Sequence, residues 1–314
     1  MSFLTSFLSG KSSKPKGSRP LPRTSPADEY RISQTLGARN LESMPAQAAK
    51  AFQLACDPKS TLDEFVRIVE ADEILSARII RVANSVYYRR GDEAKDISNA
   101  VINIGLDELR CLLSAAMLKS LLNIKSKSRE QIWGNSVATG IAARLLSPHT
   151  SISEGEAFLC GILHDVGKLI LIQKMPVEYE KVVQKVYQTG TPFIEVEQEL
   201  LDITHVEVGK WLAEKWNFPE SVRRAITFHH NAWPSNEEIL GKATSTAMLV
   251  KSADTLAHAA RLGHPHRMSQ LGANALDEIH KVAAQLRKSP EIILSLLPHL
   301  TRKFEDEISL YSNE

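Results

Sequence analysis

The sequence has few cysteines, almost no net charge and no long apolar run. Its three cysteines, Cys56, Cys111 and Cys160, are widely spaced and odd in number, which excludes a disulfide scaffold or a zinc ribbon. The 38 basic and 37 acidic residues leave a formal charge of +1, which excludes a global field that attracts nucleic acid or an anionic membrane. No run reaches about eighteen apolar residues, and no basic segment precedes the apolar start. We therefore expect a cytoplasmic protein without a membrane span or secretory signal.

The chain does have a strong helical periodicity and enough apolar residues for a large core. It is 43% hydrophobic and 24% charged, and from Tyr30 onward apolar residues recur every three and four positions. Strict alternation is nearly absent, so the pattern predicts an all-α fold. Thr61 and Glu64 form a predicted capping box before one apolar helix face. A single helix is predicted from about Ser153 to Lys174, with Ser153 and Glu156 as its cap.

The composition divides the chain into four predicted parts. Residues 1–26 form a basic arm without acidic residues, and residues 27–125 and 126–270 form two helical lobes separated by a polar stretch. Residues 271–314 form a C-terminal helical extension. Near its start the arm carries four apolar residues at helical spacing: Phe3, Leu4, Phe7 and Leu8. These residues favour weak docking on a membrane or in a partner groove. The alternative is that they belong to a disordered tail.

The residues with the clearest chemical potential begin at His164 and Asp165. On a continuous helix, an apolar stripe from Phe158 to Ile170 would face the core, while His164 and Lys168 would project from the other side. An imidazole beside a carboxylate suits a divalent transition metal if other helices supply further ligands. The alternative is a solvated polar helix face.

Four further residues continue this pattern along the chain, each on a predicted helix or at its end: His205, His229, His230 and Asp254. Each also has an ordinary structural role open to it, because His205 could cap a helix, the paired histidines could end one, and Asp254 could pair with His258. Their order resembles the metal-dependent phosphohydrolase superfamily named for its His-Asp motif. That resemblance implies that these residues, with His164 and Asp165, surround one or two metal ions.

Segments of the first half resemble a particular branch of that superfamily. Residues 41–45, 71–78, 81–85 and 100–105 match in order the signature of the HDOD domain, the HD-related output domain of bacterial signalling. Residues 216–219 resemble its Trp-x-x-Pro segment, although Glu73 replaces a usual proline. The resemblance spans roughly Ser33 to Arg261 and implies an all-helical, two-lobed molecule with an HD-like second lobe.

Two departures from the catalytic branches indicate the function. The resemblance places Asn135 where those branches have a metal-binding histidine, and residues 231–235 lack the Gly-Tyr-Pro segment of the cyclic-dinucleotide phosphodiesterases. It therefore implies a non-catalytic signalling output or scaffold module that requires no cofactor and has a vestigial site for a weakly bound divalent transition metal. The alternative is a metal-dependent phosphohydrolase or phosphodiesterase, in which Lys168 would attract a phosphate.

The expected partners are signalling or regulatory proteins. Nucleic acid is not expected, because the folded part lacks a concentrated basic face. An aromatic and basic loop of Tyr87, Tyr88, Arg89 and Arg90 is predicted to be exposed and to bind a partner, or else to cover the end of a helix.

Overall fold

A computed structural model describes residues 21–37, 60–71, 73–84, 91–106, 126–234, 244–263 and 271–311, together with residues 54, 88, 89 and 109. Throughout these ranges the regular structure is helical, and none of it is strand, so the predicted all-α class is confirmed. Several predicted features lie outside the described residues: the start of the arm, the segment 41–45, Tyr87, Arg90, Cys56, Cys111 and the polar stretch up to residue 125.

The first half contributes one separate helix and a group of three that pack on one another. Their bounds are α1 Pro26–Thr35, α2 Leu62–Glu70, α3 Glu73–Ala83 and α4 Ile97–Ile104. The predicted capping box is confirmed, because Thr61 Oγ1 accepts the Glu64 N–H and the Glu64 carboxylate accepts the Thr61 N–H. It begins α2 at the position where Phe65 and Val69 can enter the core.

The second half forms the larger helical assembly. Its helices are α5 Lys127–Leu146, α6 Glu154–Leu163, α7 Val166–Lys174, α8 Pro176–Thr189, α9 Phe193–Leu201, α10 His205–Lys215, α11 Glu220–Phe228, α12 Thr246–Ala259, α13 Leu271–Leu286 and α14 Pro290–Glu307. Helix α5 packs against α6, α12 and α14 and is buried along most of its length. It is therefore the central helix of this half. In the ranges that the structure covers, no helix is both long and apolar enough to cross a membrane.

The predicted helix from Ser153 to Lys174 is in fact two helices. The Ser153 side chain caps α6 as expected, but α6 ends at Leu163 and α7 begins at Val166. Asp165 lies between them with φ −102° and ψ 19°, outside the helical region. The alternative of a solvated polar face is wrong, because His164 is only 1% exposed and Lys168 only 5% exposed. The break turns the His-Asp pair into the interior.

Helix α1 docks on α10 through polar contacts. Arg31 donates to the Asp202 carbonyl and contacts the Glu207 carboxylate, and Lys215 pairs with Glu29. The Thr24 N–H donates to the Glu214 carboxylate at 3.0 Å. The segment that leads from the arm therefore contacts the helix that begins at His205.

The loop after α3 differs from the prediction. Tyr88 is 5% exposed and belongs to the core, so the expectation that its ring is exposed was wrong. Arg89 is exposed, and its Nε donates to the Gly91 carbonyl at 3.2 Å. Asn84, at the end of α3, holds the loop through two hydrogen bonds with the backbone of Ala94. The aromatic ring thus fills the interior while its neighbouring guanidinium remains at the surface.

Candidate metal centre

Four of the predicted ligands meet in one cluster. Asp165 lies at the α6–α7 break, His205 is the first residue of α10, and His229 and His230 follow α11. One donor atom from each lies within 4.8 Å of the others. Asp165 Oδ1 is 3.4 Å from His205 Nε2 and 3.6 Å from His229 Nε2, and the Nε2 atoms of His205 and His230 are 2.9 Å apart. These four residues could hold a metal ion.

The three buried imidazoles at the centre are all held by Nδ1. His164 Nδ1 is 2.6 Å from the Gly161 carbonyl, and His229 Nδ1 is 3.0 Å from the carbonyls of the preceding helical turn. His205 Nδ1 is 2.6 Å from Glu197 Oε2. Carbonyl and carboxylate oxygens only accept, so each Nδ1 carries the proton that it donates. When the rings are neutral, each Nε2 therefore has a lone pair available for the centre, which is the orientation found in metal-binding histidines.

Three buried atoms at the centre lack a hydrogen-bond partner: His164 Nε2, Asp165 Oδ1 and His229 Nε2. Leaving a buried polar atom unsatisfied costs about 1–3 kcal/mol, so three in one place require an explanation. A divalent cation held by the four-residue cluster would satisfy Asp165 Oδ1 and His229 Nε2, because imidazole nitrogens and a carboxylate are its usual ligands. The residues present therefore fit the metal that the sequence pattern implies.

The charge state of the centre is also compatible with a metal. Burial raises the pKa of Asp165, but His164 and Lys168 outweigh that effect and hold the pKa well below its usual value. Burial lowers the pKa of His229, and the protein around the inner part of the His230 ring, together with the neighbouring His229 and His205, lowers the pKa of His230, so both rings are neutral. Burial also lowers the pKa of His164, but the carboxylates of Asp165 and Asp254 raise it above its usual value overall. A proton on His164 would thus compete with a metal.

His164 and Asp254 lie beside the four-residue cluster. His164 Nε2 is 3.3 Å from Asp165 Oδ2 and 3.7 Å from Asp254 Oδ1, and Asp254 also accepts a hydrogen bond from Thr139. Asn135 is buried on α5, where its Nδ2 lies 3.3 Å from His258 Nδ1. The suggested pairing of Asp254 with His258 is present at 3.6 Å.

The sequence analysis missed Glu197. Its buried carboxylate accepts the N–H and Nδ1–H of His205 and the Tyr179 hydroxyl proton, so it fixes the orientation of His205. A signal for it exists, since Phe193, Val196 and Glu197 have the spacing of one apolar helix face and an acid on such a face requires a partner.

Solved structures with the same arrangement of helices include two bacterial proteins. An HDOD domain protein of unknown function from Geobacter sulfurreducens superposes with a TM-score of 0.72 at 22% identity, over 91% of this chain and 99% of that one. A provisionally assigned phosphohydrolase from Shewanella amazonensis SB2B has a TM-score of 0.68 at 21% identity, over 90% and 98% of the two chains. At these identities the likeness concerns the fold alone.

The sequence comparisons give the family. An uncharacterised protein from Treponema pallidum (strain Nichols) is 26% identical over 201 residues, which are 63% of this chain and 39% of that protein. The chain therefore matches less than half of the length of that relative. The model of the HDOD domain matches residues 41–232, which contain the HD motif, His205 and the paired histidines. The chain belongs to the HDOD domain family.

Proposed function

We propose that the chain is a metal-binding output module of bacterial signalling, which acts through contacts with partner proteins and does not turn over a phosphoester. The observation that carries this proposal is the position of Lys168. Its Nζ is 2.6 Å from Asp165 Oδ2 and lies 4.4 Å from the centre of the Phe193 ring. A cation that binds a substrate phosphate must face the substrate, whereas this ammonium is buried, paired with Asp165 and covered by the Phe193 ring.

Asp165, His205, His229 and His230 would hold the ion, and His164 would border it. In related chemistry a bound divalent ion supplies Lewis acidity, which polarises phosphate and makes water more acidic. In this chain the ligands come from three separate elements. Ion binding would therefore fix the positions of α7, α10 and α11 relative to one another, and a signalling module can transmit such a change in helix position to its surface.

A metal-dependent phosphohydrolase is the second candidate, and the exposure of one side of the centre favours it. His230 is exposed, and the side chains of Asp254 and His258 are 23% and 21% exposed. A substrate phosphate could approach from that side. The Shewanella protein that shares the fold is itself provisionally assigned as a phosphohydrolase.

Metal analysis combined with turnover assays separates the two candidates. The protein purified without chelator should contain a transition metal, and it should not hydrolyse cyclic dinucleotides or generic phosphodiesters. Asp165→Ala should lose the metal. Metal-dependent turnover of about one per second or more that disappears in Asp165→Ala would favour the hydrolase instead. A metal-free protein that binds no added manganese or zinc would contradict both candidates.

Arg89 is the part of the predicted partner loop that supports a surface role. It is exposed, and an arginine at such a position is typical of residues that contribute strongly to binding. Tyr88 is buried and would contribute indirectly, by holding the loop in place.

A further inference from the structure

Arg31 connects α1 to the short turn that carries His205. One of its guanidinium nitrogens donates to the Asp202 carbonyl at the end of α9, and the other contacts the Glu207 carboxylate in the first turn of α10. These two acceptors lie on either side of His205 in the chain. A planar guanidinium can hold two acceptors at a fixed separation, whereas an ammonium is a single point charge. Arg31 therefore bridges the two ends of the α9–α10 turn.

The carboxylate that Arg31 contacts also begins α10. Glu207 Oε2 accepts the Thr204 N–H at 2.8 Å and the Thr204 hydroxyl proton at 2.9 Å, while Glu207 Oε1 faces Arg31. The Glu207 N–H donates to Thr204 Oγ1 in return, which completes a capping box. Because one carboxylate serves both the cap and Arg31, a change at Arg31 reaches the hydrogen bonds that begin α10 at His205.

The inner side of the same turn is held by a buried group. The backbone N–H and the Nδ1–H of His205 both donate to Glu197 Oε2, at 2.8 and 2.6 Å. Glu197 is fully buried, whereas the Arg31 and Glu207 side chains are each 33% exposed. Contacts between partly exposed charges are weaker than buried ones and are exchanged more easily for contacts with water. The Arg31 contact is therefore the part of the His205 surroundings that an event at the surface can change.

We propose that Arg31 is a positioning residue for His205, and that through it the N-terminal segment and the metal centre influence each other. The proposal rests on the metal-binding function proposed above, in which His205 Nε2 lies 3.4 Å from Asp165 Oδ1. Ile32 and Leu36 are buried, so α1 remains attached and only the contacts of Arg31 change. Since α1 directly follows the basic arm, a partner that binds the arm would act on the centre by this route.

Calorimetric titration of the full chain with zinc tests the proposal. Arg31→Gln should weaken zinc binding about fivefold or more, which is the lower end of the usual couplings between sites. Glu29→Gln is the matched control, because it removes an ion pair between the same two helices at the far end of α10, where Glu29 contacts Lys215. It should change the zinc affinity less than about twofold. Arg31→Lys should have an intermediate affinity, because an ammonium cannot span both acceptors.

A double variant distinguishes an effect of this contact from a general loss of stability. Glu207→Gln keeps an oxygen that can cap Thr204 but removes the charge that Arg31 contacts. If Glu207 acts on the centre through Arg31, combining Glu207→Gln with Arg31→Gln should weaken zinc binding no more than Arg31→Gln alone. Additive losses, or an unchanged affinity in Arg31→Gln, would overturn the proposal and leave the metal site standing. Thermal midpoints of all the variants would show that each is folded.

Amide hydrogen exchange examines the turn independently of metal. In the metal-free protein, exchange between residues 202 and 208 should be faster in Arg31→Gln than in Glu29→Gln or the unaltered chain. Because coupling is reciprocal, adding zinc to the unaltered chain should slow exchange in α1, and Arg31→Gln should lose this slowing. Equal exchange rates in the metal-free variants would overturn the inference alone. The absence of zinc binding in every variant would instead overturn the proposed function and, with it, the coupling to the centre.

Discussion

Gly167 allows α7 and α10 to approach more closely than any side chain would permit. A Cβ atom at this position would lie 1.9 Å from the His205 carbonyl oxygen and 2.9 Å from the Gly209 nitrogen. Both obstacles are backbone atoms of α10, which cannot move aside as a flexible side chain can. The glycine two residues after Asp165 thus controls the distance between the aspartate and the histidine of the same cluster.

Gly167→Ala should therefore weaken both folding and metal binding. Overpacking of this kind costs about 1–3 kcal/mol of folding free energy. Here the strain falls on the backbone of His205 itself. Urea unfolding and calorimetric titration with zinc would measure the two effects. Gly91→Ala is a suitable control, because a Cβ there meets nothing within 4 Å. Equal stability and affinity in the two variants would show that α10 can shift without disturbing the centre.

Tyr88 and Arg89 were both predicted to be exposed, but in the structure Tyr88 is buried and Arg89 is exposed. Tyr88→Ala should lower the free energy of unfolding by about 2–4 kcal/mol, because it empties a site in the core. Arg89→Ala should change it by less than about 0.5 kcal/mol, because the guanidinium is exposed. Chemical denaturation of both variants would measure these two changes in the free energy of unfolding. A small loss in Tyr88→Ala would restore the prediction of an exposed ring.

At the scale of elements, the break between α6 and α7 is the feature that the sequence pattern conceals. The apolar residues on both sides of it have a continuous helical spacing, so periodicity alone predicts one helix. We attribute the break to long-range packing, since Gly167 after it lies against the backbone of His205 and Gly209 on α10. Caps such as those at Thr61 and Ser153 were predictable because they depend on residues only three positions apart.

A buried ion pair joins the C-terminal helix to the central helix of the second half. Arg144 Nη2 on α5 is 2.7 Å from both carboxylate oxygens of Glu307 on α14, and the two side chains are 8% and 0% exposed. Removing one partner of such a pair leaves a buried charge without compensation, which costs about 3–5 kcal/mol.

Glu307→Ala should lower the free energy of unfolding by about that amount and increase hydrogen exchange along α14. Asp306→Ala is the matched control on the same helix, because Asp306 forms only an exposed, 4.0 Å pair with Arg302. Its effect should stay below about 0.5 kcal/mol. If the two variants lose similar stability, α14 is held by its apolar contacts and the ion pair contributes little.

At the scale of the whole molecule, the order of the ligands was predictable and their separation was not. The types and sequence order of His164, Asp165, His205 and the paired histidines are enough to suggest a metal centre. Their distances depend on how α7, α10 and α11 pack, and that packing is set by contacts between residues far apart in the chain. For the same reason the role of Glu197, which orients His205, becomes visible only in three dimensions.

Because the ligands come from separate elements, metal binding should stabilise the entire second half. An ion that binds only the folded state at about 100 times its dissociation constant contributes about 2.7 kcal/mol, which corresponds to a rise of about 5 °C or more in the thermal midpoint of a chain of this size. Chelator-treated protein should show this rise when zinc or manganese is added, and Asp165→Asn should show little of it. Calorimetric scans of both proteins with and without metal provide the measurement. An equal rise in the two would mean that the metal binds elsewhere on the surface, and that Asp165, with its unpartnered oxygen, does not hold the ion.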